Sequence, residues 1–216
     1  MKIVCFGYRE WSIGIYKRIS RIKNLKVIIY KKKNSLNFKK LKKINPSYIL
    51  FYGWSWKVDK KIINNFKCIM LHPSKLPNFR GGSPIQNQII NGITKSEITI
   101  FRMNNLIDGG NIIFQKKFSL KGEISDIFKR MESIGFDLTK KLLKGNYSEK
   151  IQNLKKFSIY KRIQPSKSEI TLYEIKNKSS KYLYNKIRML TDPYPNAFIK
   201  TKDGKKLFIK RALLGK

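Results

Sequence analysis

Histidine is nearly absent from this chain: His72 is the one such residue in 216. Cysteine is almost as scarce, with Cys5 and Cys68 each inside an apolar run that reads as a strand. Two isolated thiols exclude a disulfide framework, and with a lone imidazole they are too few and too scattered for a metal-ligand cluster. The expectation is two reduced, buried thiols in a cytoplasmic protein, and no metal site. No apolar run approaches the length of a membrane span, and the amino terminus enters a strand at once. Neither a membrane helix nor a signal peptide is expected. The turn after the first apolar run, Gly7-Tyr8-Arg9, lacks the G-x-G-x-x-G spacing that cradles a pyrophosphate, which argues against a dinucleotide cofactor.

Negative charge is the other scarcity: 13 acidic residues face 48 lysines and arginines, a formal charge of +35. Three readings are open. A basic face gains affinity for nucleic acid by releasing counterions from phosphates. The same field would steer a small anion, such as a nucleotide-linked sugar or an anionic cofactor tail. Compositional drift is the third, since Lys, Ile and Asn abound as they do where codons favour adenine and thymine. The lysines are spread over every segment, with clusters only at Lys31-Lys32-Lys33 and Lys39-Lys40-Leu41-Lys42-Lys43. Charge alone names no partner.

The length suits one α/β domain, with or without a small appendage, and supports a core that needs no staple. Continuous apolar runs over 2–7, 26–30, 48–52 and 68–71 read as buried parallel strands. Helical spacing falls between them at 11–22, 36–44 and 60–66. Residues 84–91 read as a helix with Pro84 at its first turn and Gly92 past its end. Strands are expected at 98–103 and 111–118, then a long amphipathic helix over 123–143 that stops at Gly145. Residues 146–170 lack periodicity and read as a linker. A last helix at 182–190 precedes a hairpin, 198–200 with 206–210, joined by Asp203-Gly204. The fold class is therefore α/β, a doubly wound, Rossmann-like, mostly parallel sheet with a small C-terminal helix and β-hairpin appendage. The division is a catalytic domain over 1–165 and a small unit over 166–216. The apolar hairpin is free either to pack on its own domain or to pair two chains as a homodimer.

His72 stands at the end of the fourth apolar run, where a doubly wound sheet binds its ligands. A loop with two prolines and a Gly-Gly pair follows it. Asp108 lies in a second loop, Asn104-Asn105-Leu106-Ile107-Asp108-Gly109-Gly110. A strand-end His facing a strand-end Asp across a Gly-rich crevice makes an acid/base pair, and His is the side chain that titrates near neutral pH.

The stretch Met70-Leu71-His72-Pro73-Ser74-Lys75-Leu76-Pro77-Asn78-Phe79-Arg80-Gly81-Gly82-Ser83-Pro84, followed by Ile107-Asp108-Gly109-Gly110, resembles the folate-dependent formyltransferase family. That family includes methionyl-tRNA, glycinamide ribonucleotide and amino-sugar N-formyltransferases. Its block has the form N-x-H-x-S-x-L-P-x-x-R-G, with a later D-x-G. The likeness extends to Asn91-Gly92, Thr99-Ile100 and the late stretch 188–198. The resemblance implies transfer of a formyl group from 10-formyltetrahydrofolate to a primary amine. His72 would be the acid/base and Asp108 its partner, orienting the imidazole and favouring its charged form. The loop 51–58, with Trp54, Ser55, Trp56 and Val58, would hold the pterin together with Asn105, Leu106 and Ile107. Gly109 and Gly110 would let the backbone pass close to the ligand. Arg9, Trp11, Lys75, Arg80, Gly81 and Gly82 are the candidates for the acceptor side.

Two departures stand out. Where the family has an Asn that donates to the formyl oxygen, this chain has Met70. Losing one such donor typically slows a reaction ~10²–10³-fold. The substitutes available are Ser74, Asn104, Asn105 or a backbone N–H. Second, only about 50 residues follow Pro165, whereas methionyl-tRNA formyltransferases add a substantial β-barrel. The expected acceptor is therefore a nucleotide-linked amino sugar, an anionic small molecule. An aminoacyl-tRNA is the alternative, as is a folate- or nucleotide-binding relative that has lost turnover. A basic RNA-binding protein without enzymology fits the charge but leaves the His72 to Gly110 block unexplained.

Overall fold

The apolar runs of the first half become the middle of one sheet. The structure, a computed structural model, describes residues 1–215. In chain order the first elements are β1 (Lys2–Phe6), α1 (Glu10–Ile19), β2 (Lys26–Tyr30), α2 (Phe38–Ile44), β3 (Tyr48–Tyr52), α3 (Lys60–Asn65), β4 (Cys68–His72), β5 (Arg80–Gly81) and α4 (Pro84–Ile90). Then come β6 (Lys95–Arg102), β7 (Ile112–Ser119), α5 (Ile124–Leu143), β8 (Ile159–Tyr160), α6 (Leu172–Asn177), α7 (Ser180–Met189), β9 (Ala197–Lys200) and β10 (Lys206–Ile209). The main sheet has the order β2-β1-β3-β4-β6-β7. Its first four strands are parallel, and β6 and β7 close the far side antiparallel. This is the mostly parallel, Rossmann-like α/β arrangement expected, with a separate β9–β10 hairpin.

The strands lack polar alternation because both faces are covered. Along β1, Ile3 and Cys5 pack under α1 and α5, while Val4 and Phe6 pack with α2 and α3. Successive side chains of a strand point to opposite faces, so burial on both sides demands a continuous apolar run. On one side α5 lies along α1, with Ile127, Met131, Leu138 and Leu142 buried. Gly135 sits where the helices meet, and a side chain there would run into Ile15 and Leu71.

Three expectations need correction. Several element ends move by one to four residues: α1 stops at Ile19, not 22, and β6 begins at Lys95 rather than 98, because its outer residues pair with β7 up to Ser119. Residues 146–170 are not a plain linker. Lys150 exchanges both backbone bonds with Ile112 at 2.8 Å, and β8 pairs with β5. A helix absent from the sequence reading, α6, starts with a capping box in which Thr171 and Glu174 each satisfy the other's backbone N–H. Next to it α7 packs on α4, and buried Arg188 donates to the carbonyls of Leu120 and Gly122, both at 2.8 Å. No described helix is long and apolar enough to cross a membrane.

Candidate active site

β4 ends on His72, which shares its face of the sheet with Met70 and Cys68 and is only 4% exposed. The loop beyond is tied down by its own bonds. Ser74 Oγ donates to the Asn78 carbonyl at 2.7 Å, Thr99 Oγ1 to the Ser74 carbonyl at 2.6 Å, and Gln88 Nε2 to the Pro73 carbonyl at 2.7 Å. It thereby carries the Phe79 carbonyl back to 2.8 Å from His72 Nε2. A carbonyl can only accept, so Nε2 bears the proton and the neutral ring keeps its lone pair on Nδ1. Nδ1 lies 3.5 Å from Asp108 Oδ2, an ion-pair distance once the ring is charged. The same carboxylate oxygen accepts from the Gly81 N–H at 2.8 Å. Asp108 itself has φ +47°, an uncommon left-handed backbone for a side-chain-bearing residue. The structure thus brings together His72, Asp108 and Gly81.

Other candidates have different work. Arg80 is 5% exposed; its Nε donates to the Ile107 carbonyl at 2.6 Å and its guanidinium lies 5.0 Å from the centre of the Phe157 ring. It is therefore not a free phosphate-binding cation but a prop under the Asp108 loop. Gly109 and Gly110 are small for internal reasons, since a Cβ on either would strike Arg80 or the Arg102 carbonyl. Gly82 donates to the Tyr160 carbonyl. Lys75 is exposed and stands 3.6 Å from the largely buried Glu97 carboxylate. Trp11 is buried in the main core, so it packs rather than reaches for an acceptor. Arg9 lies between the rings of Tyr8 and Tyr194, at 5.0 and 5.1 Å.

In the loop after β3, Trp54 and Val58 belong to the core, Trp54 edge-on to Phe6 and to Trp56. The Trp54 Nε1 donor is buried without a partner. Ser55 Oγ accepts from the Tyr8 hydroxyl at 2.6 Å, and Tyr8 packs on Trp56. Across the sequence, Asn105 is exposed and Leu106 and Ile107 stand out at 53% and 63% exposure beside Asp108.

Met70 packs, half-buried, against the Trp54 side of the core. Two of its suggested substitutes are engaged elsewhere: Ser74 through its bond to Asn78, and Asn104 as a turn residue bonded to Gly109 and Leu106. Burial pushes the Cys68 thiol up to about 12, against a smaller pull from Arg102, so it is no nucleophile. A cavity of about 210 Å³ between Met1, Leu25 and Lys144 lies at the opposite, amino-terminal ends of the strands. The candidate site is singled out by its chemistry and not by that cavity.

The residues that sequence reasoning missed lie in the stretch 150–162. Gln152 Nε2 donates to the carbonyls of Asp108 and Gly110 at 2.9 and 2.6 Å, and Ser158 Oγ accepts from the Phe79 N–H at 2.8 Å. No local pattern marks them, because their partners are backbone groups far away in sequence.

Known proteins share this fold. The profile of a family described as formyl transferase matches residues 21–134, more than half of the chain. The chain belongs to the formyl transferase family. Among curated formyl transferases, the methionyl-tRNA formyltransferase of Finegoldia magna is 32% identical over 174 residues, 77% of this chain and 54% of that protein. The chain thus spans about half the length of the curated relatives it matches. A solved methionyl-tRNA formyltransferase from Clostridium thermocellum is 33% identical with a TM-score of 0.85, covering 97% of each chain. A sugar N-formyltransferase from Shewanella sp. shares the fold, with a TM-score of 0.75 at 21% identity, covering 100% of this chain and 99% of that one.

Proposed function

We propose that this chain transfers a formyl group from 10-formyltetrahydrofolate to the primary amine of an aminoacyl-tRNA. The observation that carries the reaction is the placement of His72: its Nε2 lies 2.8 Å from the Phe79 carbonyl, which assigns the proton to Nε2 and leaves Nδ1 as the base beside Asp108. The folate supplies the formyl group, activated on its N10. His72 Nδ1 takes the proton of the attacking amine and returns it to the leaving nitrogen. The Asp108 carboxylate stabilises the imidazolium in between and holds the ring's orientation. For the pterin, the unpartnered indole N–H of Trp54, the Ser55–Trp56 edge and the exposed pair Leu106 and Ile107 fit a flat, apolar, hydrogen-bonding ring. Val58 backs that loop from the core, and Asn105 is the side chain on the rim left to donate to the formyl oxygen. We read 1–165 as the catalytic unit and 166–216 as a smaller unit docked on it.

Identity above 30% with methionyl-tRNA formyltransferases and the charge of +35 support the tRNA acceptor over a nucleotide-linked amino sugar. The sugar reading rests on fold likeness to sugar N-formyltransferases. Arg9 is the acceptor-side cation in either case. The deciding experiment is a formyl-transfer assay offering methionyl-tRNA and a panel of UDP- and dTDP-linked amino sugars, with His72→Ala and Asp108→Ala in parallel. Turnover of methionyl-tRNA lost in both variants supports the reading, and turnover of a sugar alone transfers it to the second acceptor. No turnover with tightly bound folate leaves a binding protein.

A further inference from the structure

We propose that the strap formed by residues 150–162 is the positioning device of the catalytic pair, with Gln152 serving Asp108 and Ser158 serving His72. The inference rests on the formyl-transfer reading above. Each end of the strap grips a different loop. At its start, Lys150 and Ile112 exchange two backbone bonds, which anchors the segment beside the Asp108 loop. Gln152, only 5% exposed, then spends both protons of its amide on the carbonyls of Asp108 and Gly110, on either side of Gly109. Those two bonds hold a left-handed Asp108 whose carboxylate faces His72 Nδ1.

Six residues on, Ser158 accepts the Phe79 N–H through Oγ and the Arg80 N–H through its carbonyl. Tyr160 stacks on the Phe79 ring with centroids 5.0 Å apart and planes within 5°. Phe79, itself left-handed at φ +56°, presents the carbonyl that fixes the His72 tautomer. Between the two grips, Phe157 lies under the Arg80 guanidinium that holds Ile107. One contiguous strap therefore sets the backbone behind both catalytic side chains. Both loops are otherwise unsupported by regular pairing at these residues, and each contains a strained φ that surrounding contacts must over-determine. Gln152 and Ser158 do not reach the reacting atoms; they are positioning residues.

The test is Gln152→Met, which keeps shape and removes both donors, with Ser158→Ala as the second variant in the full chain. A misplacement on the scale of an ångström lowers turnover by up to ~10²-fold, so kcat should fall roughly 10- to 100-fold while KM for the folate changes little. On an Asp108→Asn background Gln152→Met should add almost nothing, because the group it positions is already gone. Amide hydrogen exchange at 105–111 should quicken in Gln152→Met, with α4 unchanged. Independent, additive losses in the double variant, or a kcat equal to the parent's, overturn the proposal. If the parent chain transfers formyl to no acceptor, the functional reading fails by itself, and unchanged exchange at 105–111 then overturns the strap as well.

Discussion

Met70 sits two residues before His72 on the same face of β4, where its thioether can neither donate to nor polarise an oxygen. Ser74 and Asn104 are bonded elsewhere, which leaves Asn105 or backbone to stabilise developing charge. Met70→Asn should therefore raise kcat, by roughly 10-fold or more if the side chain reaches the formyl oxygen, with little change in KM. Unchanged or lower kcat in steady-state assays would show that another donor already fills the role. His72→Ala should lower kcat by about 10²–10⁴-fold, the usual reach of a general base. The meeting of His72 with Asp108 was legible because strand ends, a scarce imidazole and Gly-rich loops all carry local signals. Arg80 and Gln152 were not. A loop arginine looks like a solvated cation until Phe157 and the Ile107 carbonyl close around it, and an isolated Gln has no signal at all.

Between elements, the contact of α5 with α1 depends on the absence of a side chain at Gly135. Gly135→Leu should destabilise the fold by about 1–3 kcal/mol, seen as a lower denaturant midpoint, since the overpacked pair cannot part without opening the core. The region of α6 and α7 is held by an ion pair: Lys186 Nζ lies 2.7 Å from the Glu174 carboxylate. Burial raises the Glu174 pKa, but the Lys186 and Thr171 hydrogen bonds outweigh it, and the net value falls below the usual 4.5. A carboxylate depressed in the folded state stabilises above its unfolded pKa, and that contribution is lost as pH falls through the folded value. Glu174→Gln should thus lower thermal stability at neutral pH, and its gap from the parent should close below 4.5. The capping box of α6 was present in the sequence as Thr171 and Glu174. Its apolar residues Leu172, Tyr173 and Ile175 are exposed, so no buried periodicity drew attention to it. The long helix α5 had the opposite character, with a clear apolar face, and its bounds were read almost to the residue.

At the scale of the molecule, the charge of +35 bears on the acceptor. Association with a tRNA neutralises many phosphates and should weaken steeply with salt, whereas a nucleotide sugar with two phosphates gives a slope of only about 1–2 in log K against log salt. Measured acceptor binding from low to physiological salt separates the two, and a shallow slope would count against tRNA. The doubly wound topology was readable because the inner parallel strands β1, β3 and β4 are covered on both faces and show it as unbroken apolar runs. The packing of 150–162 was hidden, since its side chains meet backbone groups and rings far away in sequence.

The position of that strap in the chain has a bearing on biosynthesis. A ribosome completes all six strands of the main sheet with Ser119, and the long covering helix with Leu143, before Gln152 and Ser158 exist. Domains fold as units while the chain is still being made. On the proposed reading, the scaffold that carries His72 and Asp108 leaves the ribosome ahead of the segment that aligns them, so catalytic competence comes late in translation, after the architecture itself.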